Sequence, residues 1–173
     1  MTEQHIPAST FTLTREAITV PAGFEPASMG EFFIGNNGPL YLRHEDRPGQ
    51  PDGPLVLLGF RVERRHCNPM NNCHGGMLAT FSDMVLPMSI HRKSAEVGHK
   101  FLPTINLQLD YLSPAPLGSW VQGEGQVLRV TRSMVFAQGM VTADGVPAVR
   151  ISGIFKIGKP FVMGGPPDGV PGG

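Results

Sequence analysis

The chain has 173 residues, the length of one ordinary domain, and its 14 basic and 14 acidic side chains balance. This balance gives no charge field that would point to nucleic acid or to an acidic membrane surface, so we expect neither partner. The longest apolar run near the middle of the chain, Leu55–Leu58, is far too short to cross a bilayer. With no leader pattern in the first residues and only two cysteines, the sequence indicates a cytoplasmic protein with reduced thiols.

Composition divides the chain into three parts. Residues 1–54 are punctuated by glycine and proline and are predicted to form an irregular N-terminal extension, with a short helix over 14–20 and a strand near 40–43. Residues 55–158 carry the regular apolar patterns of an organised domain. Residues 159–173 form a Gly/Pro-rich tail that cannot bury a core of its own.

A long helix is predicted from Gly75 to Ile90, after a strand that starts at Leu55. Several apolar residues recur at helical spacing and should form one broad stripe against a sheet: Met77, Leu78, Phe81, Met84, Val85 and Met88. The opposite side, around Asp83, also has only small or apolar neighbours: Ala79, Ser82, Leu86 and Ile90. A helix that is apolar nearly all round is buried on more than one side, so we expect Asp83 to be enclosed and a partner subunit to cover that side.

After the helix the pattern changes to a period of two, which is typical of strands with one apolar face. Four antiparallel strands and their turns are predicted in this order: residues 104–111, residues 120–130, a turn at Thr131-Arg132-Ser133, residues 134–143, a tight hairpin at Asp144-Gly145, and residues 148–157. One long helix lying across such a sheet is an α+β architecture.

One constellation before and inside the helix carries the candidate chemistry. Asn68 is followed six residues later by His74-Gly75-Gly76, and Asp83 lies nine residues after the histidine. Amide groups at a helix start lack intrahelical acceptors, and together with the helix dipole they suit a carbonyl oxygen that gains negative charge. One placed carboxylate completes the minimum equipment for hydrolysing an activated acyl group. The residues alone leave open a plain turn followed by a solvated aspartate.

In order and spacing, these residues resemble the hotdog-fold acyl-CoA thioesterases of the phenylacetic-acid-degradation type. The resemblance covers about residues 55–158 and rests on Asn68, His74-Gly75-Gly76, Asp83 and the strand end Tyr111-Leu112-Ser113-Pro114-Ala115. It implies a long central helix wrapped by an antiparallel sheet, in homodimers that often pair into homotetramers. It also implies an enzyme that hydrolyses acyl-CoA or aryl-acyl-CoA thioesters, with coenzyme A as part of the substrate and no separate cofactor.

The resemblance assigns four catalytic positions. Asp83 matches the aspartate that acts as general base or nucleophile, and Gly75 matches the glycine whose N–H binds the oxyanion. Asn68 matches the asparagine that positions the thioester or the attacking water, and Thr104 matches an assisting hydroxyl on the strand after the helix. In that family the asparagine and the glycine come from one chain and the aspartate from the other, so the resemblance implies an active site shared by two subunits.

Substrate contacts are assigned to His74 and Gly76 beside the thioester, and to Arg132 and Ser133 at the coenzyme end. The resemblance gives the histidine a structural role in orienting the turn, although catalysis by this residue stays open. Two positions lack the glycine that many relatives have, one in the loop before the helix and one in the coenzyme turn: Asn71 and Thr131. A solvated turn arginine without a ligand is therefore an equal interpretation of Arg132.

Two other functions stay open at this point. A hotdog-fold enoyl-CoA hydratase is one, although such enzymes pair a histidine with an acid and Asp83 has no evident partner besides His74. A non-catalytic acyl-CoA-binding protein is the other, although no helix-turn-helix pattern precedes residue 55. A metal site among the histidines and cysteines at 66–67 and 73–74 is not expected, because their spacing fits no usual zinc pattern.

Overall fold

The computed structural model describes residues 19–28, 33–46, 55–93, 97–98 and 100–160. Apart from its last two positions, the helix expected over residues 14–20 lies outside these ranges, and so does the tail from residue 161. The described part contains these elements, in order: β1 (Glu25–Ala27), α1 (Phe33–Asn36), β2 (Leu40–Glu45), β3 (Leu55–Arg61), a 3-10 turn (Arg64–His66), α2 (Gly75–Lys93), β4 (Thr104–Tyr111), β5 (Trp120–Val130), β6 (Met134–Ala143) and β7 (Val146–Lys156). No helix among them is long and apolar enough to cross a membrane.

The strands form one antiparallel sheet, and α2 lies across it. The strand order is β1-β2-β3-β5-β6-β7-β4, and α2 packs mainly on β5 and β3. The predicted α+β architecture, an antiparallel sheet around one long helix, is confirmed. Although β4 follows α2 directly in the chain, it occupies one edge of the sheet beside β7, and no described strand pairs with its other side.

The predicted strands agree closely with those of the structure. β5 and β6 have the predicted bounds, and β7 starts at Val146, two residues before the predicted start. Asp144 and Gly145 both have positive φ, 47° and 83°, as a tight hairpin requires. β2 confirms the strand predicted near residues 40–43, whereas β1 was not predicted, and both extend the sheet at the edge opposite β4.

The orientation of α2 differs from the predicted one. Ser82, Leu86 and Ile90, expected on the side of Asp83, are fully buried in the interior. Met84 and Met88, expected in the buried stripe, are only half-buried, and Asp83 itself is half-buried rather than enclosed. The buried face was mispredicted because α2 has apolar residues on nearly every side. In such a helix the spacing of apolar residues does not identify the face that packs on the sheet.

Glycines in β5 let α2 approach the sheet closely. A Cβ atom at Gly123 would lie 2.7 Å from Val85 Cγ2, and one at Gly125 would lie 2.7 Å from the hydroxyl of Ser89. Side chains at these positions would push the helix outwards, since protein interiors are close-packed. The two glycines therefore fix the depth of α2 on the sheet and, with it, the position of the first helical turn.

Gly123→Ala should lower the free energy of unfolding by about 1–3 kcal/mol, because the added methyl group overpacks the contact with Val85. Unfolding in urea measures this loss as a lower midpoint. Gln126→Ala, at an exposed position of the same strand, is the control and should cost less than about 0.5 kcal/mol. Equal midpoints for the two variants would show that Gly123 does not set the depth of the helix.

Candidate active site

Backbone hydrogen bonds fold the chain before α2 into a narrow loop. The N–H of His74 donates to the carbonyl of His66 (2.8 Å), and the N–H of Asn68 donates to the carbonyl of Asn72 (2.8 Å). Between these two pairs the two cysteines face each other in an antiparallel bridge. The loop therefore places His66 beside His74, the residue that precedes the helix, and Asn68 two pairs nearer to the loop tip.

Asn71 occupies the loop position where many relatives are expected to have glycine. Its φ is 58°, in the left-handed region, which asparagine tolerates better than most other residues with a side chain. Nη1 of Arg64 donates to its Oδ1 (2.8 Å) and holds the side chain. Asn71 therefore has a left-handed backbone at this point of the loop, as a glycine could have, although the residue differs from the family pattern.

The side chain of Asn68 shapes the same loop. Its Oδ1 accepts hydrogen bonds from the N–H groups of Met70 (2.9 Å) and Asn72 (3.2 Å). Within the described residues its Nδ2 group has no acceptor, so both of its N–H donors remain unused. Asn68 can therefore donate to a ligand while its oxygen end stays fixed.

The first turn of α2 leaves one amide without an acceptor. The carbonyl of His74 accepts from the N–H groups of Met77 (2.9 Å) and Leu78 (3.1 Å), and its ring Nδ1 accepts from the N–H of Gly76 (2.9 Å). Nothing in the described part of the chain accepts from the N–H of Gly75. That amide lies at the positive end of the helix dipole and suits an oxygen that gains negative charge.

Tyr111 holds the same glycine from the sheet. Its hydroxyl donates to the carbonyl of Gly75 (2.8 Å), and its ring lies 3.5 Å from the place where a Cβ of Gly75 would be. No role was predicted for Tyr111, whose only signal was its place in the strand end that resembles the family. Because 36 residues separate the two partners, local spacing does not reveal this bond.

Asp83 lies on the outward side of α2, two turns beyond the glycines. The hydroxyl of Thr104, the first residue of β4, donates to Asp83 Oδ1 at 2.8 Å. No described residue donates to Oδ2, so half of the carboxylate is open to water or a ligand. The structure thus brings Thr104 and Asp83 together in one hydrogen-bonded pair.

The structure does not bring Asp83 to Gly75 within one chain. The two residues are eight apart on the same helix, which is roughly 12 Å along its axis at a rise of about 1.5 Å per residue. Catalytic hydrogen bonds span only about 3 Å each. One chain therefore presents two separate groups of candidate residues, called half-sites below: the helix start with Gly75, and Asp83 with Thr104 further along.

An open cleft of about 440 Å³ lies beside the helix start, within the size range of small-molecule sites. The first turns of α2 form one wall. The other wall is α1 with the 3-10 turn, which are joined by a hydrogen bond from Nη1 of Arg65 to the carbonyl of Asn36 (2.9 Å). Apolar and polar side chains line the cleft together, among them Phe33, Met77, Asn37, His66, His74 and Thr80. The cleft can therefore hold a partly apolar group beside the first turns of α2.

Comparison with known proteins identifies the family that the chain resembles. A family model described as Thioesterase superfamily matches residues 70–148, from the loop before α2 into β7. The Pseudomonas aeruginosa protein PA0474, whose name describes it as a candidate esterase, is 26% identical over 142 residues, 81% of this chain and 98% of that one. This part of the chain is therefore similar to the thioesterase superfamily. The match supports the class of reaction that the sequence predicts, thioester hydrolysis.

Two further thioesterases support the same assignment. Acyl-coenzyme A thioesterase 13 of mouse is 27% identical over 82 residues, 47% of this chain and 56% of that protein. The crystal structure of zebrafish thioesterase superfamily member 2 matches with a TM-score of 0.57 at 26% identity, over 69% of this chain and 81% of that one. The predicted hotdog fold is confirmed by this structural likeness.

The turn predicted to meet the coenzyme joins β5 to β6. Arg132 and Ser133 are both exposed there. The hydroxyl of Thr131 donates to the carbonyl of Met134 (3.0 Å) and accepts from its N–H (3.0 Å), so a side chain holds the turn where glycine was expected. Through β7, the strand register places this turn at the same end of the sheet as Thr104.

Neither cysteine of the loop is a nucleophile near neutral pH. Burial raises the pKa of the Cys73 thiol to about 12, and the neighbouring Cys67 adds to that shift. Burial also raises the pKa of Cys67 above its ordinary value. Because only the thiolate attacks a carbonyl, the loop contributes backbone geometry and not a covalent intermediate.

His66 is a neutral, buried side chain of the cleft wall, which the sequence considered only as a metal ligand. Its ring is 4% exposed and packs edge-on against Phe60, with 5.3 Å between ring centroids. Burial lowers the pKa of His66 below its ordinary 6.5, and the positive charge of Arg65 lowers it further. The charge of Glu63 and nearby backbone carbonyls oppose this shift without reversing it. The imidazole is therefore uncharged at pH 7.

The lowered pKa of His66 predicts that the protein loses stability in mild acid. The unfolded chain binds a proton at this side chain near pH 6.5, whereas the folded protein does so only at lower pH. The resulting contribution to stability is present above that pH and is lost as the pH falls. Thermal unfolding should therefore have a lower midpoint at pH 5.5 than at pH 7.5. His66→Asn, which does not titrate, should show a smaller drop, and an equal drop in both proteins would assign the effect to other groups.

Proposed function

We propose that the chain hydrolyses acyl-CoA thioesters, including aryl-acyl-CoA thioesters, to the free acid and coenzyme A. The observation that carries this proposal is the amide of Gly75, which has no acceptor among the described residues at the start of α2. A carbonyl oxygen that becomes an oxyanion needs donors fixed in advance, and an amide in a rigid helix does not have to reorganise. The name of the mouse relative, an acyl-coenzyme A thioesterase, supports coenzyme A as the thiol.

The helix start binds the thioester carbonyl. Its oxygen accepts from the N–H of Gly75, and Nδ2 of Asn68, on the neighbouring loop, is a second donor. Tyr111 holds the carbonyl of Gly75 and so fixes this turn from the sheet. His74 is a positioning residue in this scheme, because its Nδ1 is engaged by the N–H of Gly76 and is not open to a substrate proton.

Asp83 acts as the general base. Thr104 donates to Oδ1, which leaves Oδ2 to accept a proton from water. The water oxygen bonds to the thioester carbon while its proton moves to Asp83, and the tetrahedral intermediate then collapses with cleavage of the C–S bond. The departing thiolate takes up the proton. The hydrogen bond from Thr104 favours this role over direct attack by the carboxylate, because it holds Asp83 in place.

The two half-sites of one active site come from two chains. Because Asp83 lies roughly 12 Å along the helix from Gly75, the carboxylate that serves a given glycine belongs to a second copy of the chain. The outward side of α2, with half-buried Met84 and Met88, and the edge strand β4, where Ile105 is 55% exposed, are surfaces suited to that copy. A two-fold homodimer then contains two equal sites, and the family resemblance extends this to a dimer of dimers.

Arg132 and Ser133 bind the phosphate end of the coenzyme. Both are exposed, and their turn lies at the same end of the sheet as Thr104, so a substrate held at Asp83 can extend towards it. An arginine guanidinium and a hydroxyl are donors that phosphate oxygens accept. Such contacts are remote from the reacting carbon and act on KM more than on kcat.

The hydrogen bonds of the acid favour hydrolysis over hydration. A hydratase of this fold would pair its acid with a histidine. In the described part of the chain Asp83 bonds to Thr104 and to no histidine, while the ring of His74 bonds to the backbone at Gly76. The acid is therefore arranged to activate water and not to share a proton with an imidazole.

Asp83→Asn should lower kcat for acyl-CoA hydrolysis at least about a hundredfold and leave KM within a few-fold, because it removes the base and keeps the shape of the side chain. Thr104→Ala should lower kcat about tenfold by releasing the carboxylate, and Thr104→Ser should regain most of the rate because the hydroxyl is restored. Release of free thiol from a panel of acyl-CoA esters measures each rate.

Asp110→Asn is the matched control for these variants. Asp110 lies on the same strand as Thr104, but its carboxylate accepts from Nε of Arg150 (2.8 Å) outside the site. This variant should keep a rate close to that of the unaltered protein. A folded Asp83→Asn protein with near-normal turnover would contradict the mechanism, and an unaltered protein that releases no thiol from any ester would favour the non-catalytic acyl-CoA-binding protein.

A further inference from the structure

The first part of β4 departs from the alternation that its sequence predicts. Ile105, Leu107 and Leu109 alternate with polar residues, so a regular strand would place Ile105 on the apolar side, towards α2. In the structure Ile105 is 55% exposed, whereas Leu107 and Leu109 are partly buried against the core. The side chain that meets α2 at this end of the strand is instead that of Thr104, whose hydroxyl donates to Asp83 (2.8 Å).

One extra residue in β4 causes this change. From Asn106, which pairs with Ile154, to the end of the strand, β4 and β7 pair without interruption. Before Asn106 the register shifts, and Thr104 pairs with Phe155. Two steps along β4 are thus matched by a single step along β7, which makes Ile105 the extra residue of a β-bulge.

The shifted register continues beyond the bulge. The N–H of Lys156 donates to the carbonyl of Pro103 (2.9 Å), one step further along both strands. Without the bulge, Thr104 would lie opposite the exposed Lys156 and on the side of the sheet away from α2. With it, Thr104 lies on the side of Phe155, which is fully buried. The bulge therefore decides which way the hydroxyl points.

The bulge exchanges apolar burial for a polar contact. It leaves exposed an isoleucine that a regular strand would pack towards α2, and burial of such a side chain is stabilising. What the strand gains on that side is the hydrogen bond from Thr104 to Asp83. Bulges are frequent beside active sites, where they turn a side chain, and a local departure from the apolar pattern is typical of functional residues.

We propose that Ile105 is a positioning residue of the active site: as the extra residue of the bulge, it turns Thr104 towards α2, and the hydroxyl of Thr104 then holds the carboxylate of Asp83. The proposal rests on the proposed function, because it takes Asp83 as the general base. It adds that the number of residues between Pro103 and Asn106, and not the apolar pattern of the strand, decides which hydroxyl serves the base.

Two variants change the position of the hydroxyl and the number of residues separately. In the exchange variant, Thr104→Ala with Ile105→Thr, a hydroxyl remains in the strand but belongs to the bulged residue, so it does not reach Asp83. In the deletion variant Ile105 is removed, and the regular ladder that results keeps Thr104 opposite Phe155. The deletion variant has the sequence of the exchange variant without its alanine, so the loss of one residue should restore the contact.

Release of free thiol from acyl-CoA esters measures the result. The exchange variant should lose about tenfold in kcat, as Thr104→Ala alone does, with KM unchanged within a few-fold. The deletion variant should stay within a few-fold of the unaltered rate. General damage to β4 would give the opposite order, because a deletion disturbs a strand more than two substitutions do. The matched control is the same deletion combined with Thr104→Ala, which should be as slow as the exchange variant.

An exchange variant with near-normal kcat would show that position 105 faces Asp83, which would overturn the proposal and leave the proposed hydrolysis intact. A folded deletion variant that is as slow as its control would overturn it as well. If the deletion variant does not fold, the rate of the exchange variant decides.

If the unaltered protein hydrolyses no ester, the proposed function fails, and unfolding in urea decides where the hydroxyl lies. Asp83→Ala should then change the urea midpoint by different amounts in the unaltered protein and in Thr104→Ala, because the two side chains are in contact. In the exchange variant, Asp83→Ala should change the midpoint by the same amount as it does in Thr104→Ala. A change equal to that in the unaltered protein would overturn the proposal.

Discussion

The amide of Gly75, which has no acceptor among the described residues, is the feature on which the rest of the proposed site depends. A helix start always leaves several N–H groups without intrahelical acceptors, and the ring of His74 accepts from the next one, that of Gly76. Tyr111 fixes the carbonyl of Gly75 from the sheet, and Gly123 sets the depth at which the helix lies. The donor is therefore held by the fold before a substrate arrives, which is what stabilisation of an oxyanion requires.

The same rigid helix that presents this amide separates it from the base. A carboxylate eight residues further along cannot reach a carbonyl held at the helix start, so the proposed active site takes its carboxylate from a second chain. The half-buried outward side of α2 and the exposed apolar edge of β4 are consistent with this arrangement. In the proposed scheme, Arg132 lies on the turn between β5 and β6, so the coenzyme would meet a different element from the one that holds the thioester carbonyl.

The strands between residues 104 and 157 and the long helix were predictable, because periodicity and turn residues decide such elements within a short window. The buried face of α2 was not, since glycines in the sheet admit side chains such as Leu86 and leave methionines outside. The resemblance to a family assigned Thr104 and Asp83 to the site, but their hydrogen bond appears only in the folded chain. The role of Tyr111 was not predictable because it depends on a partner 36 residues away in the sequence.

Complementation between two inactive variants tests the shared site most directly. Asn68→Ala and Asp83→Ala chains, each nearly inactive alone, are unfolded, mixed and refolded together. In a mixed dimer one of the two sites receives both intact residues, and random pairing makes about half of the dimers mixed, so activity should rise to about a quarter of that of the unaltered protein. A tag on one chain verifies that mixed dimers form. If they form and activity stays at the level of the single variants, Asn68 and Asp83 serve a site within one chain, which would contradict the account.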